Sequence, residues 1–440
     1  MNTVDMVGIT ETTSKWGRNF LVLFYCTSAV NIVLGNNMLI GLLMAGFLLL
    51  LAWYDEYVFA APLMLIANDA LGTVIAGKLS FPLMYFVLMI LRFLCKERKE
   101  ISKRGLLRIV ICLLLLVHLY IFQVQSISGL FSTFIYMMIV CNIAENAERN
   151  EEIWEPMLLS AGIGCFILAG QLLFFGGVAY VELETQVTSL SSLTRIRYGM
   201  VGTGVGDPNY SGLKLLLGCI CIYYSKINNF LRRGMLVIMA LAIVKTVSIT
   251  TVSILVIVIC IGTLLHKGVC SKVKWAILVL LLFGTGICIL VSTPIEYLPS
   301  DLQTLLSRLY EKISQFSVGN IDGLTTGRSY RALSNLDYAL SRNGISWFLG
   351  GEALPPEGLL LSHNTYIDLL IRFGLIGFLC IALRILYLIW KRYKCCIDNC
   401  YSNIDVCLLQ IKIIYILFSF SLSIYMYQEA ALWVLFLIFI

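Results

Sequence analysis

The sequence predicts an all-α polytopic membrane protein with about 12–14 transmembrane helices and one large extracytoplasmic loop that carries amphipathic helices. Three observations predict this class. Hydrophobic residues make up 59% of the 440-residue chain, and charged residues only 13%, about half the share of a soluble domain. The mean hydropathy is +0.88. Apolar runs recur along the chain between polar connectors. No soluble core could cover this apolar surface, so the bilayer must act as the solvent.

The apolar runs place the expected helices. Because a span needs about 20 residues, some of these runs are short or tilted. They cover residues 19–35, 37–53, 57–76, 79–95, 106–124, 126–144, 155–176, 207–225, 234–264, 274–292, 364–390, 407–427 and 428–440. We therefore divide the chain into transmembrane helices at 1–292, a large extracytoplasmic loop at 293–363, and C-terminal transmembrane helices at 364–440.

Cationic connectors set the predicted orientation. Clusters of Lys and Arg near residues 96–104, 226–233, 267–274 and 391–394 favour the cytoplasmic side. Since cations flank the run 234–264 at both ends, we expect it to cross twice, with Lys245-Thr246 at the outer tip. The N-terminus is then inside, and the connectors near 177–206 and 293–363 face outward.

The long loop contains two helical patterns of its own. In 301–316 and 329–340, leucines recur three or four residues apart, which indicates one apolar face on each helix. These faces are Leu302, Leu305, Leu306, Leu309 and Ile313 in the first helix, and Leu333, Leu336 and Leu340 in the second. We expect both helices to lie on the outer membrane surface and to cover a cavity.

Several classes of cofactor and partner are excluded. The net charge of +6 lies in short connectors between spans, which is not the pattern of a nucleic-acid surface. The closely spaced Cys395, Cys396 and Cys400 lack a nearby fourth ligand for zinc. We predict no metal and no cofactor.

One histidine stands where the long loop meets the next apolar run. His363 lies between Ser362 and Asn364 at a predicted helix start, where free N–H groups suit a phosphate. An imidazole there can act as a general base near neutral pH. In the alternative interpretation, Ser362 caps the helix and His363 is an ordinary surface residue.

Arginines on the predicted outer side are the second signal. Arg195 and Arg197 lie in the first outer loop, and Arg328 and Arg331 in the second. Arginine binds phosphate through two parallel hydrogen bonds and keeps its charge. The long loop holds five Lys or Arg against seven Asp or Glu, so an anion site would depend on a few placed residues.

Polar groups near the outer ends of spans complete the candidates. Asp207 and Asn209 flank Pro208 at the start of an apolar run, as an N-cap and first turn do. Lys245, Asp368 and Arg372 fall inside or near spans, where charges are costly and indicate function. Asp368 and Arg372 are four residues apart, so a local ion pair is the simpler alternative.

These residues together resemble the bacterial O-antigen polymerase and O-antigen ligase superfamily. The resemblance covers about residues 195–390, and it rests on the order of the motifs and their placement in the membrane. The motifs are Arg197, Gly206-Asp207-Pro208-Asn209-Tyr210, Gly327-Arg328, Gly350-Gly351, His363-Asn364-Thr365-Tyr366 and Arg372-Phe373-Gly374-Leu375-Ile376-Gly377.

The resemblance implies a metal-independent glycosyltransferase on the outer face of the bacterial cytoplasmic membrane, with a glycan on undecaprenyl diphosphate as donor. Carried over by position, Arg328 would bind the diphosphate and His363 would act at the acceptor. Arg195 or Arg197 would assist the leaving group. Where family members often carry a Ser-Arg-Gly-like element, this chain has Lys245-Thr246-Val247-Ser248, in which Lys245 would replace the arginine charge.

We therefore predict a polysaccharide polymerase that joins lipid-linked repeat units into a capsular or O-antigen chain. His363 and Arg328 are the catalytic candidates. Substrate-binding roles are assigned to Arg195, Arg197, Asp207, Asn209, Lys245, Arg331, Asn364, Asp368 and Arg372. The expected partners are the undecaprenyl-diphosphate-linked oligosaccharide, membrane lipid, and a chain-length regulator and flippase of the same pathway. The alternatives are a ligase that moves finished glycan to a surface acceptor, and a lipid-oligosaccharide flippase.

Overall fold

The computed structural model describes residues 3–54, 56–75, 79–95, 102–121, 127–174, 179–182, 195–198, 208–246, 248–266, 328–351, 362–397, 402–424 and 429–440, with a few single residues between 277 and 319. Within these residues the fold is all-α, as predicted, because strands occur only as two short antiparallel pairs. Most of the predicted helix at 301–316 lies outside the described residues, and the positions that are described within it are helical.

The helices follow one another along the chain. They are α1 (Thr3–Val33), α2 (Met38–Tyr54), α3 (Ala61–Ala67), α4 (Phe81–Cys95), α5 (Lys103–Ile121), α6 (Ile127–Arg149), α7 (Trp154–Phe174), α8 (Pro208–Tyr224), α9 (Asn229–Lys245), α10 (Ile249–His266), α11 (Arg328–Ser341), α12 (Ile345–Leu349), α13 (Thr365–Ile397), α14 (Asn403–Ser419) and α15 (Glu429–Trp433). Strand β1 (Val74–Ile75) pairs with β2 (Leu79–Ser80), and β3 (Ala179–Glu182) pairs with β4 (Arg195–Tyr198).

Among the described residues, three helical stretches are long and apolar enough to cross a membrane, namely Gly129–Arg149, Glu151–Phe174 and Thr365–Cys395. They coincide with the predicted runs 126–144, 155–176 and 364–390. Shorter apolar helices lie at Met38–Trp53, Glu56–Ala67, Phe81–Cys95 and Ile249–Gly262. A helical chain with spans of membrane length is thus confirmed in coarse form, whereas the total of about 12–14 spans stays a prediction.

The chain forms two compact units. The first comprises Met1–Ile167, Cys221–Asn229 and Met426–Ile440, and the second comprises Leu168–Ile220 and Phe230–Tyr425. The predicted division at 292 and 363 concerns membrane topology, and it stays a prediction.

The first unit buries charged side chains only where they have partners. Arg108 is 5% exposed, and its guanidinium lies 3.0 Å from the Glu145 carboxylate and 2.7 Å from that of Glu148. Arg92 donates to the Ala52 carbonyl at 2.8 Å and lies over the Phe59 ring. Because an unpaired buried charge is very costly, these contacts allow the charged residues to lie among apolar helices.

The second unit joins its helices through small residues and a buried amide. A Cβ at Gly212 of α8 would lie 2.0 Å from the Thr251 hydroxyl of α10, so the two helices touch closely there. Two turns further along α10, the Gln410 amide of α14 donates to the Val258 carbonyl at 3.2 Å. These contacts bring the starts of α8 and α10 together, where several candidate residues lie.

The helix break predicted at Lys245-Thr246 is present. Helix α9 ends at Lys245 and α10 begins at Ile249, so the stretch 234–264 is two helices. Ser248 caps the second helix, since its hydroxyl accepts from the Thr251 amide at 3.3 Å. Whether each helix crosses the bilayer stays a prediction.

A second break was not predicted. The apolar run 407–427 suggested one span, but α14 ends at Ser419, and residues 420–424 leave the helix. Serines at alternate positions promote this exit because their hydroxyls compete for backbone groups. Ser419 and Ser421 donate to the Tyr415 and Phe418 carbonyls at 2.7 and 3.2 Å.

Candidate functional site

Residues 420–424, which we call the carbonyl segment, form the centre of the candidate site. Four consecutive carbonyls of this segment each accept a hydrogen bond from a side chain elsewhere in the second unit. Asn364 donates to Phe420 at 3.4 Å, Arg328 to Ser421 at 3.3 Å, Thr365 to Leu422, and Tyr210 to Ser423 at 3.0 Å. Buried backbone that leaves a helix needs such partners. These bonds make the segment the point where α8, α11 and α13 meet.

The turn before α13 holds His363. Asn364 caps the helix, because its side-chain oxygen accepts from the Tyr366 and Ile367 amides at 3.0 and 3.2 Å. The predicted cap, Ser362, instead accepts from the Asn364 amide at 2.9 Å. His363 between them has φ 52°, a left-handed conformation that is uncommon for residues other than glycine. The turn therefore fixes the backbone of His363 directly before the cap residue of α13.

Asp368 secures this turn to the carbonyl segment. Its side chain is 5% exposed, and one carboxylate oxygen accepts from Ser362 at 2.6 Å, the other from Ser423 at 2.5 Å. The charge of Arg372 also acts on Asp368, beside these two hydroxyls. Asp368 is thus placed to position the turn before His363, although its assignment to substrate binding stays a prediction.

Two arginines of α11 contact the turn of His363 and the carbonyl segment. The Nη1 atom of Arg331 lies 3.3 Å from Nε2 of His363. A guanidinium has no acceptor atom, so Arg331 donates and Nε2 accepts. His363 is therefore neutral in this arrangement, with its proton on Nδ1. Three residues earlier on the same face, Arg328 uses Nη1 on the Ser421 carbonyl, and both arginines remain partly exposed.

Helix α11 turns its polar side inward. Asn335 and Ala339 are buried, on the same side as Arg328 and Arg331. The opposite side exposes Tyr330 by 65%, Leu333 by 59% and Leu340 by 56%. A soluble helix would bury such leucines. Leu333 and Leu340 belong to the apolar face predicted for 329–340, and the exposed Asp337 lies on the same side. That this face contacts lipid stays a prediction.

Helix α12 and the residues that flank it pack against a kink in α13. Gly374 has φ 63° within the helix, which interrupts the helical hydrogen bonds. The carbonyl of Ile371 accepts from the Arg342 guanidinium at 2.5 Å, and that of Arg372 from the Gly351 amide at 3.2 Å. Partial burial lowers the pKa of Arg342, but arginine remains charged because its ordinary pKa is far above neutrality.

The start of α8 contacts both the carbonyl segment and the break before α10. Asn209 is 3% exposed, and its side-chain oxygen accepts from the Ser248 hydroxyl at 2.9 Å, next to the break that follows Lys245. Tyr210 beside it bonds the carbonyl segment. Asn209 is therefore joined to the break, and Tyr210 to the segment beside His363.

The structure describes the remaining candidate residues less completely. Arg195 and Arg197 lie in β4, where the register pairs them with Glu182 and Tyr180, and only their backbone is described. Asp207 lies outside the described residues. Arg372 is half-buried in α13, with its carbonyl at the kink. Their assignments to substrate binding, and that of Lys245, stay predictions.

Sequence reasoning missed the residues that assemble the site. Tyr210, Ser362 and Thr365 stand in or beside the motifs but were given no role at the site, and Ser423 was not singled out, although each contacts another element there. For Ser423 a signal exists, since Ser419, Ser421 and Ser423 alternate inside an apolar run. A serine every second residue does not match the helical period of 3.6.

Comparison with known proteins adds no assignment. No protein-family model, no curated protein and no solved structure matches this chain.

Proposed function

We propose that this chain is a membrane-embedded polysaccharide polymerase that joins undecaprenyl-diphosphate-linked repeat units on the outer face of the bacterial cytoplasmic membrane. One observation carries the proposal. Arg328 and Arg331 lie on the inward side of α11, where Arg331 contacts His363 and Arg328 contacts the carbonyl segment, while Leu333 and Leu340 are exposed on the opposite side. A lipid-linked diphosphate needs this combination of cations, a base and a neighbouring apolar surface.

In the proposed reaction, the arginines hold the diphosphate of the donor. Nε2 of His363 removes the proton from an acceptor hydroxyl, and that oxygen attacks the anomeric carbon. The bond between this carbon and the diphosphate oxygen breaks, and its electron pair leaves with the lipid diphosphate. Attack from the opposite side inverts the configuration. The guanidinium groups stabilise the charge that develops on the leaving group.

The carbonyl segment and Asp368 serve this reaction by positioning. Asp368 accepts hydrogen bonds from Ser362 in the turn before α13 and from Ser423 in the carbonyl segment. These bonds hold the turn of His363 to that segment. Placing reacting groups in advance lowers the entropic cost of the bimolecular step. The additional spans, the outward orientation and the chain-length regulator and flippase partners belong to this proposal.

A ligase remains the second candidate, since it would use the same arginines and base with a different acceptor. A flippase is less well supported. Its charged residues should be distributed through many spans in repeated halves, whereas Arg328, Asn364 and Asp368 here contact one carbonyl segment. A cysteine at position 328 that reacts only from the cytoplasmic side would exclude the enzyme and favour the flippase.

Arg328→Lys tests the diphosphate contact. We expect about a 100-fold loss of polymer, as when one oxyanion donor is removed, because lysine keeps the charge but loses the two parallel donors. Among the described residues, Arg328 donates only to the Ser421 carbonyl, through Nη1, so its other donors can bind a phosphate. The measurement is the lipid-linked glycan profile of cells carrying the variant at the native locus.

Arg233→Lys is the matched control, because Arg233 is exposed in a predicted cytoplasmic connector. It should leave the glycan profile unchanged. Near-normal polymer from Arg328→Lys at equal protein level would make Arg328 a purely structural residue.

A further inference from the structure

The contact between Arg331 and His363 occupies the atom that the proposed chemistry needs. A general base must offer a lone pair to the acceptor hydroxyl. The lone pair of Nε2 already accepts from Arg331 at 3.3 Å. Nδ1 carries the proton in this arrangement, so it offers no alternative lone pair. The base is therefore masked as long as this hydrogen bond persists.

An anionic ligand would compete for the same guanidinium. A phosphate offers arginine a full negative charge and two parallel acceptors, whereas the imidazole offers one neutral acceptor atom. Arg331 lies one turn after Arg328, so a diphosphate that reaches Arg328 also comes within reach of Arg331. The backbone of His363 is held by the turn and by Asp368, so the arginine is the partner that is free to leave.

We infer that Arg331 is a positioning residue that masks His363 until a lipid-linked diphosphate draws it away. This inference rests on the proposed function for the identity of the diphosphate. It adds an order to the reaction, in which the donor binds first and only then exposes the base to the acceptor hydroxyl. Without donor, the masked base cannot activate water or a sugar hydroxyl.

The reactivity of His363 with diethyl pyrocarbonate tests this inference without any glycan. The reagent acylates an unprotonated, unblocked ring nitrogen, and peptide mass spectrometry reports each histidine separately. We expect slow modification of His363 in the purified full-length protein. Farnesyl diphosphate should accelerate it about tenfold, which is the order expected for release of one such hydrogen bond. Farnesol at the same concentration should have no effect, and His266 serves as the internal reference.

Arg331→Ala provides the second arm. We expect His363 in this variant to react about tenfold faster without ligand, and farnesyl diphosphate to add no further acceleration. Asp337→Ala, on the exposed side of the same helix, should behave like the unchanged protein. Conversely, if farnesyl diphosphate slows the modification, or binds without changing it, the masking role is wrong.

The outcomes separate this inference from the proposed function. Acceleration by the diphosphate in a protein that joins no repeat units would retain the masking contact and refute the polymerase. Polymer formation without acceleration would refute the masking contact alone. If the protein binds no farnesyl diphosphate at all, both are refuted.

Discussion

Cells in which His363→Asn replaces the native protein should lose long surface glycan and accumulate a single lipid-linked repeat unit. General-base catalysis contributes about 10²–10⁴-fold, and the variant should lose polymer by that factor. Asparagine tolerates the left-handed backbone that His363 adopts at φ 52°, so the turn should persist without its base. His363→Ala should give the same glycan profile, with an additional small loss of stability because alanine is less tolerant of this conformation.

The glycan profile of these variants also decides between the candidate functions. A single accumulated repeat unit indicates a polymerase, because chain growth has stopped. Full-length polymer that remains on the lipid indicates a ligase, because only the final transfer has failed. An unchanged profile at normal protein level removes His363 from the mechanism, and with it the proposed role of Arg331.

Gly350→Ala should greatly reduce the amount of folded protein. A Cβ at this position would lie 2.1 Å from the Arg372 carbonyl oxygen and 2.6 Å from the Gly374 amide nitrogen, both of which are backbone atoms. Gly350 also has φ 76°, which disfavours any other residue. Displacement of the kink together with backbone strain should cost about 3–5 kcal/mol, a large part of the stability of a typical domain.

Gly344→Ala is the matched control. Gly344 has a similar φ of 64°, but a Cβ there would meet nothing within 4 Å. It should cost only the strain of this backbone conformation, about 1–3 kcal/mol. Thermal unfolding of the two detergent-solubilised variants, followed by size-exclusion chromatography, measures the difference. Equal stability of the two would mean that the close approach of α12 to the kink contributes nothing.

Much of the helical organisation followed from the sequence. The apolar runs at 126–144, 155–176 and 364–390 coincide with helices long enough to span a bilayer. Charge alone predicted the break at Lys245-Thr246, and leucine spacing predicted the helix at 329–340. These features are local. Each depends on the burial preference of residues within a few turns of one another, so composition and period are sufficient to find them.

Which residues come into contact at the candidate site depended on the tertiary structure. The sequence pointed to His363 and Arg331, but it could not show that they share a hydrogen bond. It gave no sign that Ser423 holds Asp368 or that Tyr210 bonds the Ser423 carbonyl. These partners are separated by up to 213 positions along the chain, and any serine or tyrosine could have supplied the hydroxyl.

The sequence by itself determined that this is a helical chain for an apolar environment, with an arginine and histidine pattern beside one apolar run. Hydrophobic periodicity is a property of neighbouring residues, so it is readable without coordinates. Only the tertiary structure decided that α14 stops at Ser419, and that side chains from α8, α11 and α13, with Asn364, satisfy the carbonyls that follow. Backbone freed from a helix must find hydrogen-bond partners wherever the fold brings them, and those partners are set by packing.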